Sequence, residues 1–313
     1  MAGHLRPAHW LLAVVFLAVL CVPLLGDVFY TRLATRILIL GLIAVSLNLL
    51  VGYGGMISFG HAAFVGLGAY TTAILAFHGV ASGFLVWPAA IAVSALGALV
   101  IGAIALRTSG VYFIMITLAF AQMLYYTSVG LERYGGDDGV RMAARNTFAG
   151  VLDLGRPSVF FYVVAAIFTA VVFAFSRLVR SRFGRVLRGI KDNERRMQSL
   201  GYDTYRYKLA AFVIAGALAG LGGALNANLV QLVSPSMIHW IMSGDLLIMV
   251  ILGGVGTLFG PVIGAAAFIL LEEVLAGYTK HWMIVLGPLM LLVVLFQKGG
   301  IHALLFRRGA AHG

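Results

Sequence analysis

The apolar residues of the chain are gathered into ten runs, with short polar or glycine-rich stretches between them. A helix that crosses the hydrocarbon core of a bilayer needs about 20 predominantly apolar residues. The runs approach or reach that length, so the pattern predicts an all-α, polytopic integral membrane protein with about ten transmembrane helices in a single domain, 1–313. The runs lie at about 10–26, 35–51, 57–77, 84–106, 110–130, 158–178, 209–231, 238–256, 259–276 and 281–297.

The first run follows a basic N-terminus and in that respect resembles a secretory signal peptide. No small-residue cleavage site precedes Asp27 and further runs follow, so we interpret this run as an uncleaved first helix. Cys21, the one cysteine of the chain, lies within it. A single cysteine excludes an intramolecular disulfide and a CxxC metal site, and we expect no bound metal.

The composition sharpens this picture. Hydrophobic residues make up 61% of the chain and charged residues 11%, with a mean hydropathy of +1.00. Soluble domains carry about 25% charged residues. Ten spans of about 20 residues would use about 200 residues and leave only loops and tails, so there is no room for a soluble catalytic domain. The net charge of +11 would suggest nucleic-acid binding in a soluble protein. Here ten basic and three acidic residues lie in one stretch between Arg177 and Lys208, so we expect no nucleic-acid partner.

The two longest loops differ in charge, which predicts the orientation of the chain in the membrane. Cytoplasmic loops carry an excess of Lys and Arg, so the basic loop 179–207 is predicted to be cytoplasmic. The other loop, 131–157, has four basic and four acidic residues and is predicted to be periplasmic. Six runs precede the basic loop and four follow it, which places both termini in the cytoplasm.

The segment Gly52–His61, here called the glycine segment, has four glycines and a serine within nine residues. Each glycine inside a helix costs about 1 kcal/mol relative to alanine. Broken backbone at membrane depth is tolerated only inside protein or beside a watery cavity, and transporters place such breaks along the substrate path. The segment is therefore a candidate lining of a translocation path, with a cytoplasmic turn as the open alternative. The candidate residues are Gly52, Gly54, Gly55, Ser58, Gly60 and His61.

A second glycine-rich segment, Gly253–Pro261, joins the eighth and ninth runs, and its pattern favours a tight turn. Its Gly-Gly pair followed by Phe-Gly has the same order as Gly54-Gly55 and Phe59-Gly60 in the glycine segment. Both are predicted on the same side of the membrane, which does not fit an inverted repeat. The seventh run, 209–231, is rich in glycine and alanine, which predicts close helix packing because small residues let backbones approach.

The basic loop contains apolar residues near helical spacing between its charges, with Gly201 placed as a stop. The spacing predicts one amphipathic helix over about 184–200, with an apolar stripe of Leu187, Ile190 and Met197. The pattern alone leaves two functions open. The helix rests on anionic lipid, or it sits in a groove on a soluble partner.

Enzyme motifs are missing from the sequence: there is no HExxH, no GxxxxGK[ST] and no G-x-S-x-G. Ionisable residues within the runs are few, chiefly Asp245 and the pair Glu272 and Glu273, so a proton-coupled carrier has few candidate groups. We expect no cofactor bound by this chain, and any ATP energy has to come from a partner.

Three segments, in order along the chain, resemble the LivM-type permease of branched-chain amino-acid ABC importers. They are Gly52–Phe64 with Gly68–Tyr70, Arg188–Glu194 with Leu200–Gly201 and Tyr207–Phe212, and Gly253–Pro261. The likeness covers about 35–297. It implies a type II-like ABC importer permease fold, similar to that of ribose and vitamin B12 importers. An ion-coupled carrier working alone and a polytopic membrane enzyme, such as an acyl or glycosyl transferase, are the alternatives.

The resemblance also implies a role and a set of partners. The chain would be one of two transmembrane subunits of a bacterial inner-membrane importer for branched-chain or related amino acids. The implied partners are a LivH-type permease, two cytoplasmic ATPase subunits, a periplasmic substrate-binding protein and membrane lipid. The basic loop would dock on an ATPase with its apolar stripe in the ATPase groove, although Arg196 and Met197 stand where the family has small residues. The candidate coupling residues are Leu187, Gly189, Ile190, Asp192, Asn193, Glu194, Met197 and Gly201.

Overall fold

The computed structural model describes residues 20–148 and 153–278, together with 284, 287, 288, 300 and 301. Its apolar helices correspond to the second through ninth predicted runs, and most of the first and tenth runs lie outside the described residues. Two short strands, β1 (Val140–Arg141) and β2 (Leu232–Val233), pair in antiparallel register. The helices are α1 (Val28–Asn48), α2 (His61–Phe77), α3 (Gly83–Ala105), α4 (Val111–Val129), α5 (Pro157–Arg180), α6 (Arg182–Asp192), α7 (Glu194–Ser199), α8 (Thr204–Val230), α9 (Trp240–Gly253) and α10 (Gly260–Tyr278).

Six of the described helices are long and apolar enough to cross a membrane: α1 with its continuation to Tyr53, α3, α4, α5, α8 and α10. The apolar helices α2 and α9 are shorter, with 17 and 14 residues. Both follow non-helical backbone, because α2 begins after the glycine segment and α9 begins after β2 and a 3₁₀ turn, Pro235–Met237. The predicted all-α, polytopic architecture is confirmed, while the total of about ten spans stays a prediction.

The helix α8 packs against α1, α2 and α3 and forms the centre of the bundle. Its glycines bring backbone against backbone. A Cβ on Gly223 would overlap the Val65 carbonyl of α2, and a Cβ on Gly68 would overlap the Gly220 carbonyl of α8. The prediction of close packing along this run is confirmed, since side chains are absent at the points where the helices cross.

The two long loops lie at opposite ends of the bundle. At one end, β1 of the loop 131–157 pairs with β2, directly after α8. At the other end, Lys191 of the basic loop bonds to Gly52, and the Tyr205 hydroxyl donates to the Ala103 carbonyl near the end of α3. The opposition agrees with the contrast in charge. Which end faces the cytoplasm stays a prediction.

A buried arginine, Arg145, fixes the loop 131–157 to the bundle. Its guanidinium donates to the Asn228 carbonyl of α8 at 3.0 Å and lies 4.6 Å from the centre of the Phe160 ring. Burial lowers the pKa of this guanidinium, and the nearby charge of Arg32 lowers it further. Arg145 thus anchors the described part of the loop at its end of the bundle.

The basic loop folds as two short helices, so the single helix predicted over about 184–200 is wrong. Asn193 separates α6 from α7 with extended backbone, and its side-chain oxygen accepts a hydrogen bond from the Arg196 N–H at 2.9 Å. Asparagine is a strong N-cap residue, and this local bond competes with a continuous helix. The predicted stop at Gly201 is confirmed, because Gly201 is left-handed with φ 84° and its N–H bonds to the Gln198 carbonyl.

Candidate functional site

The glycine segment begins where α1 loses its regular form. The last residues of that helix, Leu49–Tyr53, make a widened turn, and the Met56 N–H reaches back to the Leu50 carbonyl at 2.9 Å. Residues 54–60 are irregular, and α2 starts at His61. Widened turns of this kind are frequent at functional sites. The prediction that glycine interrupts the helix here is confirmed.

The six candidate path residues lie mostly inside the subunit. Gly52, Gly54, Ser58, Gly60 and His61 are buried, and Gly55 is exposed. A Cβ on Gly60 would lie 2.7 Å from the Thr117 carbonyl oxygen of α4, and Gly55 has a left-handed φ of 68°. Both positions therefore require glycine, one for close packing and one for its backbone conformation. Their role as lining of a path stays a prediction.

His61 is a buried polar link between helices. Its Nε2 lies 2.8 Å from the Ser46 hydroxyl of α1, and that hydroxyl donates to the Ile43 carbonyl. Nε2 is therefore the donor to Ser46, whereas Nδ1 has no hydrogen-bond partner among the described residues. The next residue, Ala62, donates its N–H to the Ser243 hydroxyl of α9 at 2.9 Å. These bonds join α1, α2 and α9 at one point.

The second glycine-rich segment is the turn between α9 and α10, as its pattern favoured. The amide of Asn48 holds this turn: its oxygen accepts from the Gly256 N–H at 2.9 Å, and its nitrogen donates to the Thr257 carbonyl at 2.8 Å. Within the turn, the Thr257 hydroxyl donates to the Gly254 carbonyl and accepts from the Gly260 N–H. The two glycine-rich segments are thus adjacent. Asn48 lies within the second apolar run, and its sequence context gave no sign of this contact.

Lys191, near the end of α6, connects the basic loop to the glycine segment. Its ammonium donates to the Gly52 carbonyl at 2.8 Å. Its aliphatic stem lies on Gly55, where a Cβ would come within 2.9 Å of the lysine Cγ. Sequence reasoning counted Lys191 among the loop's positive charges and missed this role. The only signal was its position between two residues already assigned to coupling, Ile190 and Asp192.

A cavity of about 320 Å³ opens at this end of the bundle, where three parts of the chain meet. Its walls are the residues 54–57, the turn 108–110 before α4, and the residues 190–194 of the basic loop, with Lys208 beside them. The Lys208 ammonium pairs with the Glu194 carboxylate at 2.6 Å, which also accepts from the Thr204 hydroxyl. Two of the candidate path residues, Gly54 and Gly55, therefore border one site with part of the basic loop. The candidate coupling residues at this cavity are Ile190, Asp192, Asn193 and Glu194.

The apolar stripe of the basic loop is buried within this chain. Leu187, Ile190 and Met197 pack against the chain's own core, with Tyr207 of α8 alongside Ile190 and Met197. The expectation that this stripe enters an ATPase groove is corrected, because the break at Asn193 folds both short helices back onto α8. The exposed large apolar side chains of the loop are instead Leu200, 65% exposed, and Tyr202, 41% exposed.

One of the carboxylates within the apolar runs, Glu272, is held in an ion pair. Glu272 of α10 forms this ion pair with Arg36 of α1, and its two oxygens accept from one guanidinium nitrogen at 3.0 and 2.9 Å. Asp245 lies half-buried on α9. Among the residues that the structure describes, no group of three or more His, Cys, Asp or Glu side chains is placed to hold a metal ion. Chemistry at this site rests on backbone groups, amides and lysines.

Comparison with known proteins decides the family. Residues 29–294 match the model of the family described as branched-chain amino acid transport system / permease component. The chain belongs to this permease family. No solved structure matches it. The permease is accordingly a LivM-type transport subunit and a multi-pass membrane protein, which sets aside the alternative of a polytopic membrane enzyme.

Individual relatives agree with that assignment. The permease is 29% identical to the high-affinity branched-chain amino acid transport system permease protein LivM of Salmonella typhimurium, over 86% of this chain and 69% of the relative. It is 28% identical to the Escherichia coli LivM, over 90% and 73% of the two chains. It is also 25% identical to the E. coli permease protein LivH, over 83% of this chain and 90% of the relative.

Proposed function

We propose that the permease is one of two transmembrane subunits of an ATP-driven importer. It forms, with a LivH-type subunit, the translocation path for branched-chain or related amino acids that a periplasmic binding protein delivers. The names of the relatives support the solute class and the second subunit. ATP hydrolysis belongs in this proposal to separate ATPase subunits, which agrees with a sequence that contains no P-loop motif.

The observation that carries this proposal is the folded basic loop at one end of the bundle. Its two helices are packed against the bundle through the buried stripe and Lys191. Its outer surface is strongly basic and carries two exposed apolar side chains, Leu200 and Tyr202. Buried apolar anchors dominate interface energy, whereas charges at a rim contribute little. We therefore assign the ATPase contact to Leu200 and Tyr202, with the exposed Asp192 and Asn193 at the rim.

The orientation follows from the same loop. The basic end, 179–207, lies in the cytoplasm with both termini, and the loop 131–157 faces the periplasm. The buried Arg145 and the β1–β2 pair anchor the described part of that second loop to the bundle. A fixed loop loses little conformational entropy on association, which suits a landing surface for a binding protein.

The helix α4 is the proposed contact with the second permease subunit. It is the least buried of the six long helices that the structure describes. Its exposed stripe is Tyr112, Met115, Met123 and Tyr126, in place of the branched aliphatic residues that face lipid elsewhere, such as Leu96 and Val100 on α3. Residues on α4 also border the cavity at the basic end. The path then runs between α4 and the LivH-type subunit.

Reconstitution tests the proposal. The permease, its LivH-type partner and the ATPase subunits are placed in vesicles, with binding protein loaded with leucine, isoleucine or valine outside. We expect uptake that needs ATP and stops when any one component is omitted. Uptake by the permease alone, driven by an ion gradient, would contradict the proposal and favour the ion-coupled carrier.

A further inference from the structure

The contact between the basic loop and the glycine segment is a mechanical link. We propose that Lys191 is a positioning residue that transmits movement of the basic loop to the glycine segment and onward to the turn between α9 and α10. This inference rests on the proposed function, because it describes how ATPase movement at the loop reaches the membrane helices. It concerns a residue that sequence reasoning had not singled out.

The first step of the link is the Gly52 carbonyl. In a continuous helix this carbonyl would accept from the Met56 N–H, but that N–H bonds to the Leu50 carbonyl because the turn is widened. The lysine ammonium takes the vacant position at 2.8 Å. A hydrogen bond from a charged donor is stronger than one between neutral groups, so this part-buried bond stabilises the irregular backbone.

The lysine stem adds a steric contact to this polar one. Gly55 has a left-handed φ of 68° and presents its bare backbone to the Lys191 stem. Any side chain at Gly55 would displace the stem, since a Cβ there would lie 2.9 Å from Cγ. The Lys191 side chain thus contacts the glycine segment at two points, Gly52 and Gly55, and links the end of α6 to it.

The second step runs from Gly52 to the turn between α9 and α10. A Cβ on Gly52 would lie 2.6 Å from the Gly256 nitrogen, so the two backbones touch. Asn48, one helical turn before Gly52, bonds to both Gly256 and Thr257. Displacement of Gly52 is therefore passed to the turn through packed backbone and two hydrogen bonds, which is the kind of contiguous contact that can carry coupling.

Other basic side chains of the loop make different bonds. Arg188 donates to the Gly184 and Val179 carbonyls, close by in the chain, and Lys208 pairs with Glu194. Among the described residues of the loop, the hydrogen bond from Lys191 is the one that reaches the glycine segment. Loss of this one ammonium group should therefore separate movement of the loop from movement of the helices.

The test compares Lys191→Met with Lys191→Arg in the complete reconstituted complex. Lys191→Met keeps the stem and removes the donor, and Lys191→Arg keeps a charged donor. We expect Lys191→Met to assemble and to hydrolyse ATP, while solute imported per ATP falls about tenfold or more, the loss expected for one hydrogen bond to a charged group. Lys191→Arg should recover most of the wild-type ratio. Arg206→Met is the matched control, since it removes an exposed ion pair with Asp203 and should leave the ratio unchanged.

A spectroscopic readout separates transmission from simple structural support. On a Cys21→Ser background, spin labels are placed at the exposed positions Arg185, in the loop, and Val255, in the turn. In the wild type, both labels should change environment when the ATPases are trapped with ATP. In Lys191→Met, the label at 185 should still respond and the label at 255 should not.

The outcomes are distinguishable. A wild-type complex without ATP-driven uptake refutes the proposed function and this inference with it. A coupled wild-type complex together with a normally coupled Lys191→Met variant refutes the inference alone. It is also refuted if Lys191→Met loses the ATPase subunits, since the lysine would then be a docking contact.

Discussion

The side-chain oxygen of Asn48 accepts a hydrogen bond from the backbone N–H of Gly256, which lies 208 residues further along the chain. This contact joins the end of α1 to the turn between α9 and α10. The two similar glycine-rich segments lie on the same side of the bundle because they pack against each other, with the Gly52 and Gly256 backbones in contact. The echo between them is a shared packing requirement, so no internal repeat is needed to account for it.

Replacing Asn48 with Leu should destabilise the permease by about 1–3 kcal/mol, because the Gly256 N–H and the Thr257 carbonyl lose their partner inside the protein. Thermal unfolding of the purified protein in detergent measures the loss. Asn226→Leu is the matched control. Among the described residues, the hydrogen bond recorded for the Asn226 amide is a weak one to the Met237 sulfur at 3.9 Å, so this substitution should cost less stability. Equal losses in the two variants would contradict a special role for Asn48.

Some of the fold could be predicted from the sequence because the relevant forces are local. The apolar runs predicted the helices, and the small residues predicted the close packing along α8. Gly201 predicted the end of the loop's helical part, after α7. The break at Asn193 was missed because a side-chain cap leaves no mark on apolar spacing. The contacts of Lys191 and Asn48 could not be found, since they join residues 139 and 208 positions apart, which a pattern along the chain does not relate.

Replacing Gly55 with Val should lower transport while leaving the complex assembled. Valine at a left-handed φ of 68° is strained, and its side chain would displace the stem of Lys191. Gly79→Val provides the matched control, because Gly79 is also left-handed, with φ 80°, but a Cβ there meets nothing within 4 Å. Uptake by vesicles measures the effect. Normal uptake by Gly55→Val would show that the glycine segment is a turn that tolerates substitution and has no role in the path.

Leu200→Asp and Ile190→Asp should fail in different ways. Leu200 is exposed, so Leu200→Asp should leave the permease stable and reduce co-purification of the ATPase about tenfold or more, as expected for loss of an apolar anchor. Ile190 is buried in the chain's own core, so Ile190→Asp places a charge among apolar side chains and should lower the melting temperature of the permease itself.

The same experiment distinguishes the ATPase from a lipid surface as the partner of the loop. Neutralising the exposed Arg195 and Arg196 together should change ATPase retention little, because rim charges contribute little to an interface. It should strongly reduce binding of the loop to anionic vesicles if lipid is the partner, at about 1 kcal/mol for each arginine. Full ATPase retention by Leu200→Asp, combined with loss of function in the double arginine variant, would favour the lipid surface.

Single-cysteine labelling in intact cells tests the orientation that the charge contrast predicts. On a Cys21→Ser background, Asp137→Cys lies in the neutral loop and Arg185→Cys in the basic loop, and both positions are exposed. Because the excess of Lys and Arg marks the cytoplasmic side, a membrane-impermeant thiol reagent should label position 137 and spare position 185 until the cells are opened. Since the two loops lie at opposite ends of the bundle, the two positions cannot both be periplasmic in one orientation. Labelling of position 185 without position 137 would show that the orientation is the reverse of the predicted one. The basic loop would then lie outside the cell, where a cytoplasmic ATPase cannot bind it.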